Sequence, residues 1–266
     1  MHVPRGDCVS VEILQAKSVT KRFGALVAVD HVDFTLYEHE VAGILGSNGA
    51  GKTTFFNLLT GLFAPDEGVI LHKGVDITHM TPQQRVARGV TRTFQLTSTF
   101  DNLSVTDNLV LAYFRTNHSS SMWKLLFTKR RRFHDEEKIV ATLHTFDLVP
   151  VRDRMVKNLS LGEKRRLEIA MAVLAEPEVL LLDEPLAGLA ESEIQGVLEV
   201  LRRHIGKQTI LIVEHKISHI EDFVQRLIVM HEGRVIAEGG YDECLNHPEV
   251  RRSYWQIDPA EEAAHG

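Results

Sequence analysis

The stretch Gly46-Ser47-Asn48-Gly49-Ala50-Gly51-Lys52-Thr53-Thr54 leaves this chain the least freedom. A glycine, four residues, a second glycine, then lysine and threonine is the spacing of a loop that cradles phosphate between a strand and a helix. Gly46, Gly49 and Gly51 permit backbone angles that a side chain would block, so successive N–H groups can turn inward around an anion. The flanks agree with this. Val41-Ala42-Gly43-Ile44-Leu45 reads as a buried strand, and residues 53–59 read as a helix whose positive end meets the same anion. Lys52 can reach the β- and γ-phosphates and Thr53 can place its hydroxyl on Mg²⁺, so the implied ligand is a magnesium nucleoside triphosphate.

A second constellation answers the first. Val179-Leu180-Leu181-Leu182 is an apolar run that ends in Asp183, Glu184 and Pro185. In a parallel sheet, functional groups collect at the carboxyl ends of buried strands, which brings this pair to the edge that holds the phosphate loop. The pattern points to nucleotide hydrolysis, with Asp183 holding Mg²⁺ through water and Glu184 orienting or deprotonating the attacking water. Residues 209–213 form a further buried strand that ends in Glu214-His215. His215 is placed either to reach the γ-phosphate or to be an ordinary surface imidazole.

Composition narrows the class. The chain has 44% hydrophobic and 25% charged residues, an ordinary globular balance, and its net charge of -6 argues against a nucleic-acid surface over the whole protein. No run of about 18 apolar residues and no secretory leader is apparent, so a cytosolic setting is expected. Cys8 and Cys244 have no metal-ligand spacing and read as structural or incidental. The fourteen histidines lack the paired spacing of a zinc site, so no metal beyond Mg²⁺ is assigned.

Residues 1–10 read as a loose leader. Residues 11–19 and 32–36 alternate apolar and polar as antiparallel strands on either side of a turn at Phe23-Gly24. Phe23 could stack on a base or fill core. Gly61 caps the phosphate-loop helix, residues 65–68 read as a turn, and residues 69–71 and 75–77 as a hairpin. Thr81-Pro82 opens a helix that Gly89 ends. A short strand over residues 90–95 finishes in Gln95, a Mg²⁺ ligand through its carbonyl or a solvated loop residue. Residues 103–112 read as a helix, and residues 113–134 as an excursion carrying the basic run Lys129-Arg130-Arg131-Arg132, a solvated face or a contact for anionic lipid. Residues 135–148 form a helix with Ile139, Val140, Leu143 and Phe146 at core spacing. Asn158 or Ser160 caps a helix with an anion-ready N-terminus, and residues 192–204 are an amphipathic helix.

In this order the motifs resemble those of ABC transporter ATP-binding subunits over about residues 11–254. Leu159-Ser160-Leu161-Gly162-Glu163 is similar to the family signature LSGGQ. The resemblance implies an α/β P-loop NTPase of RecA-like core, with an antiparallel β subdomain and an inserted α-helical subdomain at about 96–165, the whole domain spanning 11–255 ahead of a 256–266 tail. It implies that Phe23 stacks on adenine, that residues 46–54 hold ATP, and that Gln95 links Mg²⁺ to the membrane partner. Ser160, Gly162 and Glu163 would then face ATP bound to a second ATPase subunit, identical or different. Two transmembrane permease subunits and a separate solute-binding protein follow, with the chain peripheral on the cytoplasmic face of the inner membrane. No nucleic-acid partner is expected.

Arg92-Thr93-Phe94-Gln95, residues 165–170, Ala187-Gly188-Leu189 and residues 246–250 are most similar to importer subunits for branched-chain amino acids and their urea or amide relatives. The alternatives are an export ATPase, such as one serving lipopolysaccharide, and a soluble ATP-dependent switch that transports nothing. The chain departs from the family pattern at Ala190, where Asp or Asn is usual. A methyl group cannot accept that hydrogen bond, so slower or less tightly coupled hydrolysis is expected unless Glu191 or a different partner chain compensates.

Overall fold

The computed structural model describes residues 11–93, 99–117, 137–214 and 220–255. The leader, Gln95, the basic run, His215 and the tail from residue 256 lie outside the described residues.

Two sheets organise the chain. The first is antiparallel, in the order β2 (Leu26–Tyr37), β1 (Glu12–Phe23), β4 (Glu67–His72), β5 (Val75–Asp76). The second runs β10 (Arg234–Gly239), β9 (Arg226–His231), β3 (Val41–Gly46), β8 (Thr209–Val213), β7 (Val179–Asp183), β6 (Val90–Arg92). Neighbours from β9 to β6 are parallel, and only β10 is antiparallel. The described helices are α1 (Lys52–Thr60), α2 (Pro82–Ala87), α3 (Val105–Asn117), α4 (Glu137–Thr145), α5 (Leu161–Leu174), α6 (Glu191–Arg202), α7 (Tyr241–Leu245) and α8 (Pro248–Trp255).

The central strands read as unbroken apolar runs because both of their faces are covered. Alternate residues point to opposite sides. Val41, Leu45, Leu180, Leu182, Ile210 and Ile212 join one core cluster with Leu167 of α5 and Val197 of α6. Ala42, Ile44, Leu181 and Leu211 join the other with Phe55, Phe56 and Leu59 of α1 and Leu14 and Phe34 of the antiparallel sheet. The phosphate loop therefore leaves β3 at the seam between the two sheets.

Arg85 of α2 fixes the far end of α1. It is fully buried, and its guanidinium donates to the carbonyls of Leu58 at 2.6 Å, Leu59 at 2.7 Å and Thr78 at 2.9 Å. The Leu58 carbonyl also accepts from the N–H of the capping Gly61 at 3.2 Å, whereas Leu59 lies in the last turn, whose carbonyls lack helical partners, at the end where the dipole favours a cation.

Some boundaries differ from the sequence reading. Glu67 and Gly68, expected in a turn, already belong to β4. Val140 is 38% exposed, because Ile139, Leu143 and Phe146 at i, i+4 and i+7 take the buried face and the next residue is turned away from it. Helix α3 starts at Val105 rather than 103, since Ser104 is its cap: Ser104 Oγ accepts from the Asp107 N–H at 3.1 Å and donates to the Asp107 carboxylate at 2.8 Å. It also runs on to Asn117, past the expected end at residue 112.

Candidate nucleotide-binding site

The loop after β3 closes onto α1 through Gly51, the N-cap of that helix, at φ 96°. Its neighbour Gly49 stands at φ 83°. Lys52 folds back over the loop, its ammonium donating to the Gly46 carbonyl at 2.7 Å and the Ser47 carbonyl at 3.0 Å. Burial pushes the Lys52 ammonium below the ordinary lysine value, and the nearby carboxylates of Glu184 and Asp183 oppose that shift. The sequence-predicted cation and the two sequence-predicted carboxylates are thus electrostatic neighbours in the fold.

A cavity of about 550 Å³ opens beside the loop, lined by Phe23, Leu26, Val27 and Ala28, by residues 48–54 and by Glu232. This is the size of a small-ligand pocket. Phe23 is 46% exposed there, with its ring edge-on to Phe63 at 5.5 Å, so it is not core filling. Gly46, Ser47, Asp183 and Glu184 do not line this cavity, and neither do Ser160, Gly162 and Glu163.

Asp183 ends β7, and beyond it Glu184 takes a positive φ of 45° with its N–H donating to the Val213 carbonyl at 2.9 Å. The Glu214 carboxylate, buried after β8, accepts from the Leu186 N–H at 2.8 Å and ties this turn to the neighbouring strand. The guanidinium of Arg92, at the end of β6, pairs with Asp183 and donates to Asn57 Oδ1 of α1 at 2.7 Å.

Ser160, and not Asn158, caps α5. Its hydroxyl accepts from the Glu163 N–H at 3.2 Å, while the Glu163 carboxylate accepts from the Ser160 N–H at 2.8 Å. The Gly162 N–H donates to Glu193 Oε1 at 3.0 Å, and Glu193 Oε2 accepts from the Ala190 N–H at 3.3 Å. Those contacts, that of Gly162 first, hold the Glu193 carboxyl below the usual range. One carboxylate on α6 therefore links the signature-like helix to the segment after Glu184.

Sequence reasoning missed Arg92, Glu193 and Glu214 as site residues. Glu193 could have been found as the acid three residues inside a helix that has no side-chain cap at Ala190, and Glu214 as a strand-end acid like Asp183. Nothing in the spacing marked Arg92.

The donors present suit a polyphosphate with a hard cation. Among the described residues no group of three or more His, Cys, Asp and Glu gathers to hold a metal by itself. A Mg²⁺ carried mostly by phosphate and water needs only a few protein oxygens, which the Thr53 hydroxyl and the Asp183 carboxylate could supply.

Residues 29–187 match the ABC transporter family. The chain belongs to that family. LivG of Escherichia coli K12, a high-affinity branched-chain amino acid transport ATP-binding protein, is 35% identical over 92% of this chain and 98% of its own length. LptB of Haemophilus influenzae, a lipopolysaccharide export system ATP-binding protein, is 34% identical over 92% and 97%. The crystal structure of the ADP conformation of MJ1267, an ATP-binding cassette of an ABC transporter, superposes with a TM-score of 0.77 at 30% identity, covering 92% of this chain and 99% of that one. This chain is an ABC ATPase cassette with the P-loop α/β fold, as the motif order implied. Among the described residues of the cassette, no helix is long and apolar enough to cross a membrane.

Proposed function

We propose that this cassette binds and hydrolyses ATP to power an importer of branched-chain amino acids or of related small polar solutes such as urea or amides. The carrying observation is that the Asp183-Glu184 turn stands beside the phosphate loop: Arg92 bridges Asp183 to Asn57 of the loop's helix, and both carboxylates act on Lys52. In this reading Phe23 stacks on adenine across the cavity, and the amides of residues 46–54 with Lys52 hold the phosphates. Thr53, Asp183 and Gln95 would hold Mg²⁺, which when bound neutralises phosphate charge. Glu184 orients and deprotonates the attacking water, and His215 contacts the γ-phosphate side.

In this reading the signature residues Ser160, Gly162 and Glu163 face ATP on a second ATPase subunit, identical or different. The dimer would work on the cytoplasmic face of the membrane beneath two permease subunits fed by a solute-binding protein. The Ala190 methyl cannot accept a hydrogen bond, so slower or less tightly coupled hydrolysis is expected unless Glu191 or a different partner chain compensates, with Ala190→Asp as the probe.

Import is favoured over lipopolysaccharide export by the similarity to LivG and by the importer-like stretches at residues 92–95 and 187–189. The test is to isolate the chain from its host membranes with the permeases that hold it, and to assay Mg-ATP-driven leucine uptake in proteoliposomes. Uptake of leucine, or of urea in parallel vesicles, supports the reading. Release of lipopolysaccharide without uptake of either solute would replace it with export.

A further inference from the structure

Arg92 is the group in the site that the ATPase roles leave unassigned. It closes β6, whose register sets Arg92 beside Leu181, two residues before Asp183. From there its guanidinium spans two elements: one nitrogen meets Asp183 Oδ2 and another donates to Asn57 Oδ1 of α1 at 2.7 Å. The carbon of the guanidinium stands 5.1 Å from the centre of the Phe56 ring. The Arg92 and Asp183 side chains are only 11% and 14% exposed, so water screens the pair poorly. Arginine does not lose its charge at any working pH, and its planar fork keeps this geometry where a lysine would not.

We propose that Arg92 is the resident countercation of Asp183, a positioning residue that sets how strongly the site distinguishes metal-bound from metal-free nucleotide. The proposal rests on the reading of Asp183 as a metal-side carboxylate. An unpaired carboxylate at the end of β7 repels the phosphates of a nucleotide that arrives without its cation. Arg92 cancels that repulsion. The same guanidinium competes with Mg²⁺ for Asp183, so it also weakens the preference for the metal complex. Removing it should therefore widen the gap between the two nucleotide forms from both sides. Through Asn57, the same side chain ties the carboxylate to the helix that carries Lys52 and Thr53.

The test is calorimetric titration of the full chain with a non-hydrolysable ATP analogue, in EDTA and in Mg²⁺, read as the dissociation constant in EDTA divided by that in Mg²⁺. Arg92→Gln should raise that ratio at least tenfold, and Arg92→Lys, which keeps the charge, should raise it less. On an Asp183→Asn background, removing Arg92 should leave the ratio unchanged. If Arg92→Gln does not fold, Arg92→Lys and the doubly substituted Arg92→Gln, Asp183→Asn chain carry the comparison. A ratio that responds to Asp183→Asn but stays within twofold of wild type in the Arg92 variants overturns this proposal alone. A ratio indifferent to Asp183→Asn overturns the Asp183 reading and this proposal with it. An equal Arg92 effect with and without Asp183 shows that the arginine acts elsewhere, and also overturns the proposal.

Discussion

Gly49 and Gly51 share a backbone conformation but not a neighbourhood, and that difference can be measured. Both lie in the left-handed region, at φ 83° and 96°. An alanine at either position meets strain of about 1–2 kcal/mol, offset by roughly 0.4–1 kcal/mol because the unfolded chain loses freedom too. At Gly49 nothing lies within 4 Å of an added Cβ, so Gly49→Ala should cost about 0–1.6 kcal/mol. At Gly51 the Cβ would stand 2.3 Å from the Ala28 carbonyl oxygen and 3.2 Å from the Gly233 Cα. Both contacts are backbone, and Gly233 is itself bonded to Ala50, so the overlap cannot be relieved by turning a side chain. Forced overlap of this kind adds about 1–3 kcal/mol, which puts the loss in Gly51→Ala about 1–3 kcal/mol above that in Gly49→Ala. Urea unfolding of the nucleotide-free chains gives both numbers directly. Equal losses for the two variants would refute the steric argument and leave backbone strain as the whole account.

Two further outcomes concern the scaffold around the site. Arg85→Met should lower stability by about 3 kcal/mol, since orphaned buried carbonyls outweigh the relief of removing a buried charge; a urea midpoint unchanged at constant slope would contradict that role. His72 and His204 are both held by burial below the ordinary imidazole value of 6.5. The unfolded chain then takes up these protons first, so their contribution is whole above pH 6.5 and is lost as the pH falls below it through the folded-state values. Urea midpoints should accordingly drop between pH 7.5 and 5.5, and less so in His204→Gln; a flat profile would show that neither imidazole is desolvated as described.

The parts of this site that were legible in the sequence are those whose chemistry is local. The phosphate loop carries its own glycine spacing, and β7 and β8 announce themselves as apolar runs ending in acids. Ser160 is visible as a cap because its partner Glu163 is three residues away. Arg92 was not legible, because its meaning lies in partners 35 and 91 residues distant, brought together only by the register of β6 on β7. Glu214 was read for the histidine beside it, while its bond to the Leu186 N–H depends on the two parallel strands ending level with each other. Phe23 stood between core and pocket until the hairpin placed it exposed at the cavity. The misplaced edges, at Glu67 and Ser104, fall where turn-forming residues serve a strand start and a helix cap.

The most direct test of the ATPase account is the Mg-ATP turnover of the purified chain against its own concentration, compared with that of Glu184→Gln. A site completed by a second copy predicts turnover that rises faster than linearly. The variant should bind ATP as wild type does but turn over about 10²- to 10⁴-fold more slowly, the usual weight of a general base. Near-normal turnover in Glu184→Gln would contradict the assignment of the hydrolytic carboxylate and the mechanism built on it.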